Sequence, residues 1–197
     1  MSEPAPTVTL LRHGETQWSK SGQHTGRTDL ELTDLGERQA KAAQALLGSA
    51  PFGLVLVSPM QRARRTAELA GLTPDEILDD LCEWDYGTFE GLTTQQIVAQ
   101  YPSWSIWDGP WVGGETAEQV QARVDRVIER ILALPNPGRV AVVAHGHVLR
   151  VFGARWVGAP ARAGKWLGLD TAAVCELGWE HDYRVLERWN LVAASSS

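Results

Sequence analysis

Thr7-Val8-Thr9-Leu10-Leu11 is an apolar, β-prone run, and it stops at Arg12-His13-Gly14. A short continuous apolar run suits a strand buried on both faces. Arg12 and His13 at its C-terminal end place polar groups where open α/β sheets bind their ligands. Whether the chain is an α/β protein depends on the elements beyond that strand.

Outward from this run comes a polar loop, Ser19 to Thr28, and then Thr33, a helix N-cap. The helix it opens is predicted to run to about Leu47, with Leu35, Ala42, Ala43, Leu46 and Leu47 on its apolar face and Gly48 ending it. The pattern then repeats. Leu54 to Val57 is a second buried strand, Ser58-Pro59 marks a helix start, and Met60 to Ala70 is helical, which places Arg62 in its first turn. Thr93 and Gln96 have capping-box spacing for a short helix to about Tyr101, followed by an aromatic loop, Trp104 to Trp111, expected to act as a lid.

Glu115 to Leu134 is the clearest amphipathic helix, with Val120, Val124, Val127, Ile128, Ile131 and Leu132 at helical spacing. Pro135 to Gly138 stops it. A third buried strand, Arg139 to Ala144, ends at His145-Gly146-His147 and passes into a helix from Val148 to Val157. Two further strands, Ala172 to Leu177 and Tyr183 to Trp189, are joined by a turn near Gly178 to Asp182, and residues from about 192 to 197 read as a disordered tail. Alternating strands and helices without an internal repeat or linker predict one layered α/β domain over residues 1–197.

Composition narrows the function. With 197 residues, 44% of them apolar, the chain can bury a core without staples. Cys82 and Cys175 lie far apart, in neither a zinc-site nor a disulfide-scaffold spacing, and read as reduced thiols. The N-terminus lacks a basic signal region and no stretch reaches membrane-span length, so a cytoplasmic location is expected. A net charge of -6 argues against a general nucleic-acid binder but leaves room for a local cation cluster. Nine tryptophans serve either core and edge packing or a substrate cleft.

Three segments place cationic or proton-active groups just beyond an apolar strand: Arg12-His13, Arg62 and His145. Their convergence would suit a phosphoryl group, since each guanidinium stays charged and matches two phosphate oxygens, and an imidazolium from His145 could take a third. Arg64 and Arg65 read as a solvated helix face. No carboxylate or thiolate cluster accompanies His145-Gly146-His147, so no metal or other cofactor is expected.

With these segments taken together, the sequence resembles the histidine phosphatase superfamily, in its branch with phosphoglycerate mutases and small sugar-phosphate phosphatases. The resemblance runs through Leu11 to Ala40, SPMQRARRTAEL (Ser58 to Leu69), EWDYGTFEGL (Glu83 to Leu92), GGET (Gly113 to Thr116) and AHGHVLR (Ala144 to Arg150). It implies an α/β/α sandwich with a mostly parallel central sheet. It further implies that His13 is the nucleophile, that Arg12, Arg62 and His145 form the phosphate pocket, and that Glu83 is the proton donor. Ser19, Thr25, Gly26, Tyr86 and His147 would contact the substrate.

Neutral His13 would attack phosphorus in line while the pocket cations stabilise the equatorial oxygens, and Glu83 would protonate the departing alkoxide and then activate water. Mutases of this branch usually carry asparagine where Ser19 stands and read HGNS where this chain has His145-Gly146-His147-Val148. Both departures favour hydrolysis, and the likeness to small acid phosphatases and sedoheptulose-bisphosphatase-like enzymes makes a sugar phosphate or bisphosphate the expected substrate. A cofactor-dependent phosphoglycerate mutase is the alternative; a phosphoprotein phosphatase and a non-catalytic phospho-ligand module are weaker ones. The expected partner is a small phosphorylated substrate, with neither nucleic acid nor membrane, and a homodimer is left open.

Overall fold

The computed structural model describes residues 5–194. The expected tail at Ser195 to Ser197 lies outside the described residues. In chain order the elements are β1 (Thr7–Arg12), α1 (Gln17–Ser21), α2 (Asp34–Ala43), β2 (Leu54–Val57), α3 (Gln61–Leu69) and β3 (Glu76–Ile77). Then come α4 (Thr94–Gln100), α5 (Ala117–Ala133), β4 (Arg139–Ala144), α6 (Gly146–Trp156), β5 (Val174–Glu180) and β6 (Tyr183–Leu191). The strands form one six-stranded sheet in the order β3-β2-β4-β1-β5-β6. The first four in that order pair in parallel, and β5 and β6 add an antiparallel hairpin.

Alternation along the strands sends successive side chains to opposite faces, and each face has its own core. Val8, Leu10, Leu56, Val140 and Val142 pack on one side with Val120, Val124 and Val127 of α5 and Leu149 and Phe152 of α6. Leu11, Val55, Val57, Ala141 and Val143 pack on the other with Ala43 of α2 and Ala63 and Ala67 of α3. The result is a three-layered α/β/α sandwich. Among the described residues no helix is long and apolar enough to cross a membrane.

The local signals hold where they are self-contained. Thr33 and Thr93 each accept from the backbone N–H three residues on, Thr93 in a full capping box; Thr116, not singled out from sequence, caps α5 with Gln119 in the same way. Three expectations change. An unexpected short helix, α1, runs into the start of the polar loop, capped by Thr16, whose capping-box partner is Ser19. The last helix starts at Gly146, not Val148, and β5 continues through Gly178 to Glu180, so only His181-Asp182 turns the hairpin. A Cβ on Gly178 would sit 2.0 Å from the Glu187 carboxylate, so that glycine makes cross-strand room within the ladder.

The aromatic loop is a packed buttress in this structure. Trp104, Ile106 and Trp107 are buried, the Trp104 indole donates to the Pro110 carbonyl (3.1 Å), and that of Trp111 donates to Ile106 (2.7 Å).

Candidate active site

Register brings the functional residues together. Arg12 pairs with Ala144 and Val57 with Val143, so His13, His145 and Ser58 leave three neighbouring strands side by side. The His13 and Ser58 backbone N–H groups still donate to β4, to Ala144 and Val143 respectively. The His13 and His145 ring centroids lie 5.2 Å apart. A backbone crossing fixes the His13 segment: a Cβ on Gly14 would lie 2.3 Å from the Gly36 carbonyl oxygen, and one on Gly36 only 2.1 Å from that of Glu15. Only two glycines let the first turn of α2 dock on this loop.

His13 Nδ1 lies 2.7 Å from the Gly14 carbonyl oxygen. That acceptor requires the proton on Nδ1, which leaves the Nε2 lone pair free for attack. The His13 pKa is held well below the usual histidine range, first by burial and then by Arg12 and Arg62. Burial thus outranks the arginines in keeping this imidazole neutral.

Arg12 lies against Gly146, whose missing side chain makes room: a Cβ there would be 3.2 Å from the guanidinium carbon. Its Nη1 donates to Leu169 (2.5 Å), while its Nε is the one buried side-chain polar atom without a partner among the described residues. A buried donor left unmatched is costly unless a ligand completes it. An oxyanion beside His13 would do so.

Arg62 is fully buried at the start of α3, and four hydrogen bonds tie its guanidinium to the protein. Nε donates to His145 Nδ1 (3.0 Å), Nη1 to Thr28 O (2.8 Å), and Nη2 to Gly26 O (3.0 Å) and Thr25 O (3.4 Å). His145 Nε2 in turn faces the Ser58 hydroxyl at 2.7 Å. The expectation of an imidazolium at His145 is therefore corrected. Burial, Arg62 and His13 hold its pKa well below the usual range, and an Nδ1 that accepts from Arg62 carries no proton.

Glu83 enters from the loop before α4 and meets the N-terminus of α6. Its Oε1 accepts from Trp84 N (2.8 Å) and Val148 N (2.9 Å), and its Oε2 accepts from His147 N (2.9 Å). His145, the N-cap by position, offers no side-chain bond, so Glu83 caps α6 in its place.

Arg12, His13, Glu83, Ser19, Thr25, Tyr86 and His147 line one cavity of about 100 Å³. That is small beside the roughly 300–1,000 Å³ of drug-sized ligand sites, so it suits a phosphoryl group with the remaining ligand at its mouth. Gly26 does not line it. A Cβ there would lie 2.6 Å from the Trp84 carbonyl oxygen, and its own carbonyl faces Arg62, so Gly26 positions that arginine instead of touching a ligand. Ser19 lines the cavity, but its hydroxyl is occupied by the backbone of Thr16. Gln23, His24, Gly146, Arg150 and Leu169 also line it, and sequence reasoning misses all five. The signal for Arg150 is its spacing of four from Gly146, which puts both on one helical face.

Other cation and metal sites are weaker. Arg64 is exposed and Arg65 is ion-paired with Glu37 and Glu68, both at 2.9 Å, beside a larger surface hollow of about 580 Å³ with no buried reactive group. Among the described residues no group of three or more histidines, cysteines or acids could hold a metal ion.

An open α/β sheet with an imidazole set between arginines at its strand ends defines a phosphoryl-handling protein. The profile of the histidine phosphatase superfamily (branch 1) matches residues 8–192, and the chain belongs to that superfamily. It is 44% identical over 179 residues to an acid phosphatase of Mycobacterium tuberculosis, covering 90% of this chain and 88% of that one. It is 38% identical over 190 residues to sedoheptulose 1,7-bisphosphatase of Saccharomyces cerevisiae, covering 80% and 70%. The solved structure of a Mycobacterium tuberculosis open reading frame superposes with a TM-score of 0.90 at 42% identity, covering 94% and 97%.

Proposed function

We propose that this chain hydrolyses small phosphate monoesters through a phosphohistidine formed on His13 Nε2. The observation that carries the reading is the His13 Nδ1 bond to Gly14, which frees Nε2 in a cavity that Arg12, with its unmatched Nε, also lines. Attack breaks the P–O ester bond as the N–P bond forms, and Arg12 stabilises charge on the phosphoryl oxygens. Glu83, in the same cavity, gives its proton to the leaving oxygen. The resulting carboxylate, held by three backbone N–H groups, takes a proton from the water that cleaves the N–P bond. Arg62 and His145 act from behind as a neutral-histidine brace.

A sugar phosphate or bisphosphate is the proposed substrate, supported by the likeness to the yeast bisphosphatase and by a cavity that leaves the rest of the ligand at a polar mouth. A cytoplasmic setting is proposed with it, to be checked by cell fractionation. The test of function is p-nitrophenyl phosphate turnover with EDTA present, with acid-labile phosphate trapped on the protein. His13→Ala should lower turnover by roughly 10⁴-fold or more. Undiminished turnover in that variant refutes the mechanism.

A further inference from the structure

Beyond Glu83 the cavity has a second wall that the phosphoryl chemistry does not use. Tyr86 is buried, and its hydroxyl lies 2.6 Å from His147 Nδ1. Among the described residues that hydroxyl has no other hydrogen-bond partner; when it donates to Nδ1, the histidine carries its own proton on Nε2. Burial and Glu83 hold the Tyr86 pKa well above the phenol range, and burial with Arg150 holds His147 neutral. The ring is fixed from outside by Trp107, at 5.4 Å between centroids, and by Trp84, at 6.5 Å. With Nδ1 engaged, Nε2 is the ring nitrogen left for the cavity that His147 lines.

Position says what Nε2–H would meet. His147 Nδ1 is 3.9 Å from Glu83 Oε2, so the imidazole stands next to the group that must touch the leaving oxygen. A donor there would meet the leaving alcohol at the carbons adjoining the ester oxygen. A single neutral N–H suits an uncharged hydroxyl better than a second anion, because an anion would be met by no full charge from the ring.

We propose that Tyr86 and His147 form a tautomer-locked pair whose Nε2–H donates to a hydroxyl adjoining the ester oxygen, selecting polyol phosphates over their deoxy analogues. The inference rests on the phosphatase reading above. Tyr86 is the positioning residue, and His147 makes the contact.

The experiment compares kcat/KM for propane-1,2-diol 1-phosphate and propyl phosphate, which differ by one vicinal hydroxyl and share an alkoxide leaving group. The wild-type ratio should favour the diol roughly tenfold, the scale of one net hydrogen bond. His147→Ala should bring the ratio near one whatever happens to overall rate, His147→Gln should recover part of it by restoring a donor, and Tyr86→Phe should fall between. Nitrogen NMR should show His147 as the Nε2–H tautomer in wild type and a mixture in Tyr86→Phe, a readout that survives if His147→Ala fails to fold. A wild-type ratio near one, or a ratio unchanged in His147→Ala or Tyr86→Phe, overturns the inference while p-nitrophenyl phosphate turnover leaves the phosphatase reading intact. Absence of turnover on every ester overturns that reading itself.

Discussion

The two walls of the cavity are built on opposite plans. Behind the phosphoryl position, Arg62 and His145 are fully buried and heavily bonded to the protein: the carbonyls of residues 25, 26 and 28 and the Ser58 hydroxyl engage most of the donors that they could otherwise offer a ligand. On the leaving-group side, Glu83, Tyr86 and His147 are joined by only a few bonds and keep atoms facing the cavity. The first wall fixes a shape common to any phosphate ester. The second can tell one alcohol from another.

That contrast makes graded predictions. Glu83→Gln should lower kcat/KM for an alkyl phosphate by roughly 10²-fold or more, with a smaller loss for p-nitrophenyl phosphate, whose phenoxide leaves without a proton. Equal losses on both esters would place Glu83 outside leaving-group protonation. Arg62→Lys should do the reverse, lowering both esters alike by about tenfold while costing roughly 2–3 kcal/mol of unfolding free energy, because a point charge cannot replace a fork bound to four acceptors. Chemical denaturation and the two-substrate assay check this together. A variant of normal stability would show that the wall is not a brace.

The contrast in burial also shows in pH. His13, His145 and His147 all have folded pKa values well below the usual 6.5, and burial brings His24 down to about 4. Below 6.5 the unfolded chain takes up protons that the folded one refuses, so these groups lower stability as pH falls from about 6.5 towards 4 and beyond. Thermal melts between pH 7 and 4.5 should show a steady fall in Tm without a step at 6.5 in the activity assigned to His13. An acid limb centred at 6.5 would contradict its depressed pKa.

Much of the fold is legible because its signals are local. LVLV and RVAVVA are strands with the boundaries read from sequence, and the Thr93-Gln96 pair starts its helix. The errors have non-local causes. Gly178 reads as a turn residue, yet the Glu187 side chain across the hairpin sets its role. Ser58 reads as a helix signal, and its bond to His145 exists only through the register of β2 on β4. Gly26 matches a ligand contact by family resemblance, while its partners are Arg62 and Glu90, in distant segments. His24 reaches the cavity through a loop placement that no short motif declares.

The crossing of Gly14 and Gly36 has a consequence for how such a protein can change. Each backbone occupies the space where the other's side chain would begin, so neither position can drift while the other stays. No neighbouring side chain can yield to admit even an alanine, since the obstacles are carbonyl oxygens of the main chain. A randomised library would therefore return these two sites as a linked invariant, and every viable descendant would inherit the same meeting of two loops, whatever ester its other wall had learned to prefer.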